Sequence, residues 1–187
     1  MAPTKRSPRG AAVLAPARLS SLLSELRQLI HEARESAVAA VNASLTLMYW
    51  RIGQRIRTEV LGGRRAAYGD EIVATLSRQL TLEFGRSFGD KNLRRMVQFA
   101  AVFPDEQIVV PLMRHLSWTH FLALIPLKEP LAREFYAEMC RAERWSVRTL
   151  RERVDALLYE RTALSKRPQA LIRKELSALR ANGDVVP

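Results

Sequence analysis

Apolar side chains recur every three or four residues from Leu19 onward, and that period constrains the chain more than any other feature. Leu19, Leu22, Leu23, Leu26, Leu29, Ile30 and Ala33 form the first part of the stripe, and Val38, Val41, Leu45, Met48, Ile52 and Ile56 continue it. A strand alternates with period two, whereas this spacing needs an α-helix with one apolar face. The run is one long helix, or two with a break near Ser36 or Asn42, and Gly62-Gly63 ends it. Trp50 adjoins the stripe as a core anchor. The period returns over 70–84 through Ile72, Val73, Leu76, Leu80 and Phe84. The expected class is therefore all-α: a helical bundle of two lobes with helix-turn-helix-like units.

Local signals divide the rest. Gly85-Arg86 breaks the second run, and Ser87 followed by Asp90 resembles a capping box opening a helix over 88–103. Helix, short glycine turn, capped helix is the outline of a helix-turn-helix unit. Residues 104–116 read as a connection, in which Ile108-Val109-Val110-Pro111 is β-prone but too isolated for a sheet. Ser117 is expected to cap a short helix carrying Trp118, Phe121 and Leu124. A helix over 131–144 buries Phe135, Tyr136 and Met139, and Ser146 opens another to about 161 with Val147, Leu150, Val154, Leu157 and Leu158 inward. Residues 1–18, with Pro3, Pro8 and Pro16, read as a disordered basic tail. The helical domain then spans 19–165, and 166–187 form a connecting helix and C-terminal end.

Composition excludes several classes. With 48% hydrophobic residues among 187, a real core is possible and wholesale disorder is not. No apolar run is long enough for a membrane span. Cys140 is the single cysteine, so no intramolecular disulfide and no four-thiolate zinc site can form, which suits a reducing cytoplasm. The net charge is +11, carried by 25 arginines and 5 lysines against 19 acids. Residues 1–20 hold +4, 61–100 hold +3 and 141–187 hold +5, while 101–140 hold −2. Such clustering suits a polyanion, most simply nucleic acid, and double-stranded DNA is the expected partner. An arginine-rich composition also serves solubility alone.

The helix over 88–103 carries the sharpest sign of a binding surface. Stepped from Leu93, residues Met96, Val97, Ala100 and Phe103 lie within about 80° of it, while Lys91, Arg94, Arg95 and Gln98 fall between about 100° and 200°. That second face bears no acid of its own, Asp90 sitting back in the first turn. Arginine can grip guanine edges, glutamine can read adenine and lysine neutralises phosphate. Arg86 in the turn is placed for a phosphate, as are Arg64 and Arg65 after Gly62-Gly63. The helix opened by Ser146 ranks second, because its outward Arg148, Arg151, Glu152, Asp155 and Tyr159 mix signs.

Catalytic and metal-binding patterns are not found. His31, His115 and His120 lack metal-pair spacing and read as structural or surface histidines, and Cys140 as a buried thiol. No phosphate-binding or nucleophile-elbow glycine motif occurs. Pro104-Asp105 tempts one towards a metal-dependent nuclease, but none of the five lysines has an acid two residues before it. No catalytic residue, metal or cofactor is expected.

A set of short motifs occurs in order along the chain. They are Tyr49-Trp50-Arg51-Ile52-Gly53, Tyr68-Gly69-Asp70, and Phe84-Gly85-Arg86-Ser87-Phe88 with Asn92-Leu93 and Met96. Leu116-Ser117-Trp118, Arg133-Glu134-Phe135-Tyr136, Trp145-Ser146-Val147-Arg148 and Leu158-Tyr159-Glu160-Arg161 follow. Together, over about 19–167, they resemble the N-terminal domain of the YhcG-type family of bacterial proteins. In that family the helical domain usually precedes a PD-(D/E)XK nuclease domain. The resemblance implies a DNA-binding helix-turn-helix module in DNA metabolism or in defence against foreign DNA. It brings no catalytic residue to this chain, which is expected not to be an enzyme, a nuclease domain acting in cis or as a partner protein. The alternative is an assembly or homodimerisation module without DNA contact, using the stripes over 19–56 and 171–179.

Overall fold

A computed structural model describes residues 16–62, 66–164 and 177. Among them the chain is all-α: α1 (Pro16–Gly62), α2 (Ala66–Phe84), a 3-10 turn (Arg86–Phe88), α3 (Asp90–Val102), α4 (Glu106–Met113), α5 (Trp118–Leu124), α6 (Pro130–Glu143), α7 (Val147–Asp155) and α8 (Leu158–Leu164). The first helical run is thus one helix, without the break expected near Ser36 or Asn42. Of the expected tail, residues 1–15 lie outside the described residues, and α1 already begins at Pro16. The connecting segment over 166–187 lies outside them too, except Ser177.

The chain divides into two units, Met1–Val38 and Ala39–Pro187. In the first, the described residues are helical and the leucine stripe is exposed. The second holds the core in two clusters. Ile56, Val73, Leu93 and Met96 bring together α1, α2 and α3. A larger cluster runs from Trp50 and Phe99 through Phe121, Phe135 and Leu150 to Tyr159, and Trp118 packs against both.

Within the second unit, α1 and α3 cross at Gly53. A Cβ there would stand 1.9 Å from the carbonyl oxygen of Met96, so only hydrogen fits between the two backbones. The same face of α1 then closes the end of α3. Trp50 Nε1 donates to the Phe103 carbonyl (2.7 Å), Gln54 Nε2 to that of Pro104 (3.0 Å) and an Arg57 guanidinium nitrogen to that of Ala100 (3.0 Å). The last carbonyls of a helix have no partner in their own helix, and here a neighbouring helix supplies the donors.

The cap of α3 differs from the expected one. Gly85 (φ 90°, ψ −177°) takes a conformation that only glycine adopts readily, and the chain then makes the 3-10 turn before entering α3 through Gly89. Ser87 is therefore not the N-cap; its carbonyl accepts from Asn92 Nδ2 at 2.6 Å.

Two further expectations are corrected. The β-prone stretch is α4, capped by Asp105, whose carboxylate accepts from the Gln107 amide at 2.8 Å. Asp105 is a helix cap rather than half of a nuclease motif. The helix opened by Ser146 stops at Asp155, because Leu157 enters the left-handed region (φ 51°) and α8 begins anew. Leu157 consequently faces solvent and Tyr159 turns inward, the reverse of the sequence expectation. Tyr136, fully buried, fixes this corner: its hydroxyl accepts from the Tyr159 amide (3.0 Å) and donates to the Arg153 carbonyl (3.3 Å). At the end of α2, Phe84 is exposed instead of buried.

Candidate nucleic-acid interface

α3 lies among three neighbours: α1 at Gly53, α2 through the Leu93–Met96 cluster, and α5 through Phe99 against Trp118 (5.5 Å) and Phe121 (4.5 Å). Leu93, Met96, Phe99 and Ala100 are fully buried. What remains open is a single stripe of Lys91, Arg94, Gln98 and Ala101 at spacings of three and four, with Arg95 half-buried beside it. Phe99, at about 240° on the same wheel, lies between the inward and outward arcs, and it is fully buried.

The charges on this stripe are not equivalent. Arg94 donates through Nε to Asp90 (2.9 Å) and through its terminal nitrogen to Asp70 of α2. Two carboxylates raise its pKa above the usual arginine value and hold it as a bridge between α2 and α3. Thus the face carries no acid in sequence but gains one in three dimensions. No ion pair involves Arg86, Lys91 or Arg95 among the described residues. Arg86 is exposed in the 3-10 turn immediately before α3. Arg64 and Arg65 lie outside the described residues.

Asn92 fastens the entry of this helix. It donates to Ser87, as above, and accepts from Trp118 Nε1 at 3.3 Å, while Tyr49 packs on both Trp118 (5.1 Å between ring centres) and Phe88 (6.4 Å). Three of the ordered motifs, those of Tyr49, of Phe88 with Asn92, and of Trp118, therefore meet as a packing framework around the base of α3.

Away from this stripe, Cys140, His115 and His120 have shifted pKa values. Cys140 is buried, and burial pushes its thiol up to about 12, far from a reactive thiolate. His120 stands at the third position of α5, where Glu or Gln completes a capping box. Its Nδ1 accepts from the Ser117 amide (3.2 Å), and its Nε2 lies 3.0 Å from the Trp145 carbonyl, to which it donates. Burial lowers its pKa; burial and then Arg144, Arg141 and Arg114 lower that of His115. Among the described residues no group of three or more His, Cys, Asp or Glu is placed to hold a metal. No helix there is long and apolar enough to cross a membrane.

These histidines make stability pH-dependent in a known sense. Their folded pKa values lie below the unfolded value of about 6.5, so the unfolded chain binds more protons between the two. Stability is expected to be full above about pH 6.5 and to fall as pH drops through the folded values. His120→Gln keeps an acceptor for Ser117 and a donor for Trp145 without titrating. Melting curves from pH 7.5 to 5 should show a shallower acid loss in this variant than in the parent. An equal or steeper loss would exclude the His120 contribution.

Comparison with known proteins extends the same frame. The pattern of the DUF1016 N-terminal domain matches residues 25–161, which takes in the α1–α3 crossing, α3 and the three capped helices α4, α5 and α7. The Escherichia coli (strain K12) protein named "Putative nuclease YhcG" is 32% identical over 180 residues, covering 80% of this chain and 48% of that protein. The chain thus spans about half the length of that relative. No solved structure matches. The match takes in well over half of the chain, and this chain belongs to the DUF1016 N-terminal domain family.

Proposed function

We propose that this chain is the DNA-binding module of a YhcG-like, nuclease-associated protein working in DNA metabolism or in defence against foreign DNA. The observation that carries the reading is the stripe of α3. Lys91 and Gln98 are exposed and Arg95 half-exposed on one helix, Arg86 stands at its entry, and neither these arginines nor Lys91 has an ion-pair partner among the described residues. In this reading Lys91, Arg95 and Arg86 neutralise phosphates, Gln98 reaches a base edge, and Arg94 sets the angle between α2 and α3. A net charge of +11 steers the chain to a polyanion, and a relative named as a nuclease gives DNA the first claim.

The test is binding to a labelled random duplex across a salt series. Each phosphate neutralised steepens the dependence of log affinity on log salt by about 0.9. Lys91→Ala/Arg95→Ala should flatten the slope by about 1.8 if both contact phosphates. Failure of the folded parent protein to bind at low salt would overturn the reading.

A further inference from the structure

In the first unit, α1 shows a face that no described part of the chain covers. Leu19, Leu22, Leu23, Leu26, Leu29 and Ile30 are each between 41% and 60% exposed. Six large apolar side chains along about three turns of one helix exceed the scattered exposure normal for a surface. A helix with such a face gains most of its stability by packing it against a partner.

The flanks of the face identify the partner. Measured from Leu26 at about 100° per residue, Arg27 and Arg34 lie about 80–100° to one side, and Glu25 and Glu32 about 100–120° to the other. Each pair is spaced by seven residues. Glu25 accepts from Ser21 (3.0 Å) and Glu32 from Gln28 (2.9 Å), while none of the four charges has an ion pair among the described residues. When two copies of a helix pack side by side in parallel, the left flank of one meets the right flank of the other. Here that sets Glu25 and Glu32 against Arg27 and Arg34 on both sides of the seam. An antiparallel pair would set arginines against arginines and glutamates against glutamates. Arg18, on the acidic side, would meet the uncharged flank around Ser20 of a parallel copy.

We infer that the face formed by Leu19, Leu22, Leu23, Leu26, Leu29 and Ile30 is a homodimer seam that pairs in parallel with the same segment of a second copy. This seam is separate from the DNA-binding stripe, so Lys91→Ala/Arg95→Ala leaves the dimer intact whatever it does to DNA.

Light scattering across a concentration series tests the pairing. The parent chain should reach twice its 21.2 kDa mass. Leu26→Glu/Leu29→Glu should return it to a monomer, with the tryptophan fluorescence of the second unit unchanged. Glu25→Arg/Glu32→Arg keeps every leucine but makes both flanks positive, and should weaken dimerisation about tenfold. Mixing it with Arg27→Glu/Arg34→Glu should restore the dimer, which a mere folding defect would not allow. Leu19→Cys should cross-link to itself on oxidation, since Cys140 is buried and silent. A parent monomeric throughout, including one whose stripe is covered by its own residues 166–187, overturns the inference. So does a dimer indifferent to the leucine substitutions, or one in which Leu19→Cys does not cross-link.

Discussion

Gly53→Ala is expected to cost about 3 kcal/mol or more, the upper end of what overpacking does. The obstacle is the Met96 carbonyl, with its oxygen 1.9 Å and its carbon 2.5 Å from the new methyl. A side chain can rotate away, but a carbonyl inside a helix moves only with the helix. The two helices must separate, loosening the cluster of Ile56, Val73, Leu93 and Met96. For a chain of this size the melting temperature should fall by roughly 6–12 °C. Ala100→Gly, which removes the third close atom at 3.1 Å, should not rescue it. Rescue, or a loss below about 1 kcal/mol, would mean that the backbones do not meet here.

Phe99→Ala should cost about 3–5 kcal/mol, the range for emptying an aromatic core site. Its ring is fully buried against Phe103, Trp118 and Phe121, with centres 5.6, 5.5 and 4.5 Å away. Deleting it leaves a hole bounded by stiff aromatic rings that cannot collapse into it. Gln98→Ala, one residue earlier on the exposed stripe, should stay within about 0.5 kcal/mol. Denaturant unfolding of the two variants separates the packed side of α3 from its open stripe. Equal losses would mean that Phe99 is not packed among these rings.

The helical wheel of α3 shows why part of the site was legible and part was not. The inward line of Leu93, Met96 and Ala100 follows from spacing, since a helix against one neighbour hides one stripe. Phe99 is hidden because α5 brings Trp118 and Phe121 to a second side of α3, a long-range contact that no local period encodes. Asp70 reaches Arg94 across 24 residues for the same reason. Capping signals were dependable where the side chain could reach: Ser146 accepts from the Thr149 amide at 3.1 Å. At α4 the β-branched run and Pro111 masked a helical spacing of Val109, Leu112, Met113 and Leu116, all buried, which with Asp105 as cap was the available signal. The stop at Leu157 had no such signal, because it depends on the hydroxyl of Tyr136 arriving at the Tyr159 amide.

The three donors from α1 that close the end of α3 bear on how far this fold can be cut. They lie 53, 50 and 43 residues before the carbonyls they serve. A fragment starting after Arg57 would keep α2 and α3 whole yet leave those acceptors bare and one wall of Met96 open. The α2–α3 pair is consequently not a portable cassette. It borrows its integrity from an upstream segment, and a transplant must carry α1 from at least Tyr49 to remain folded.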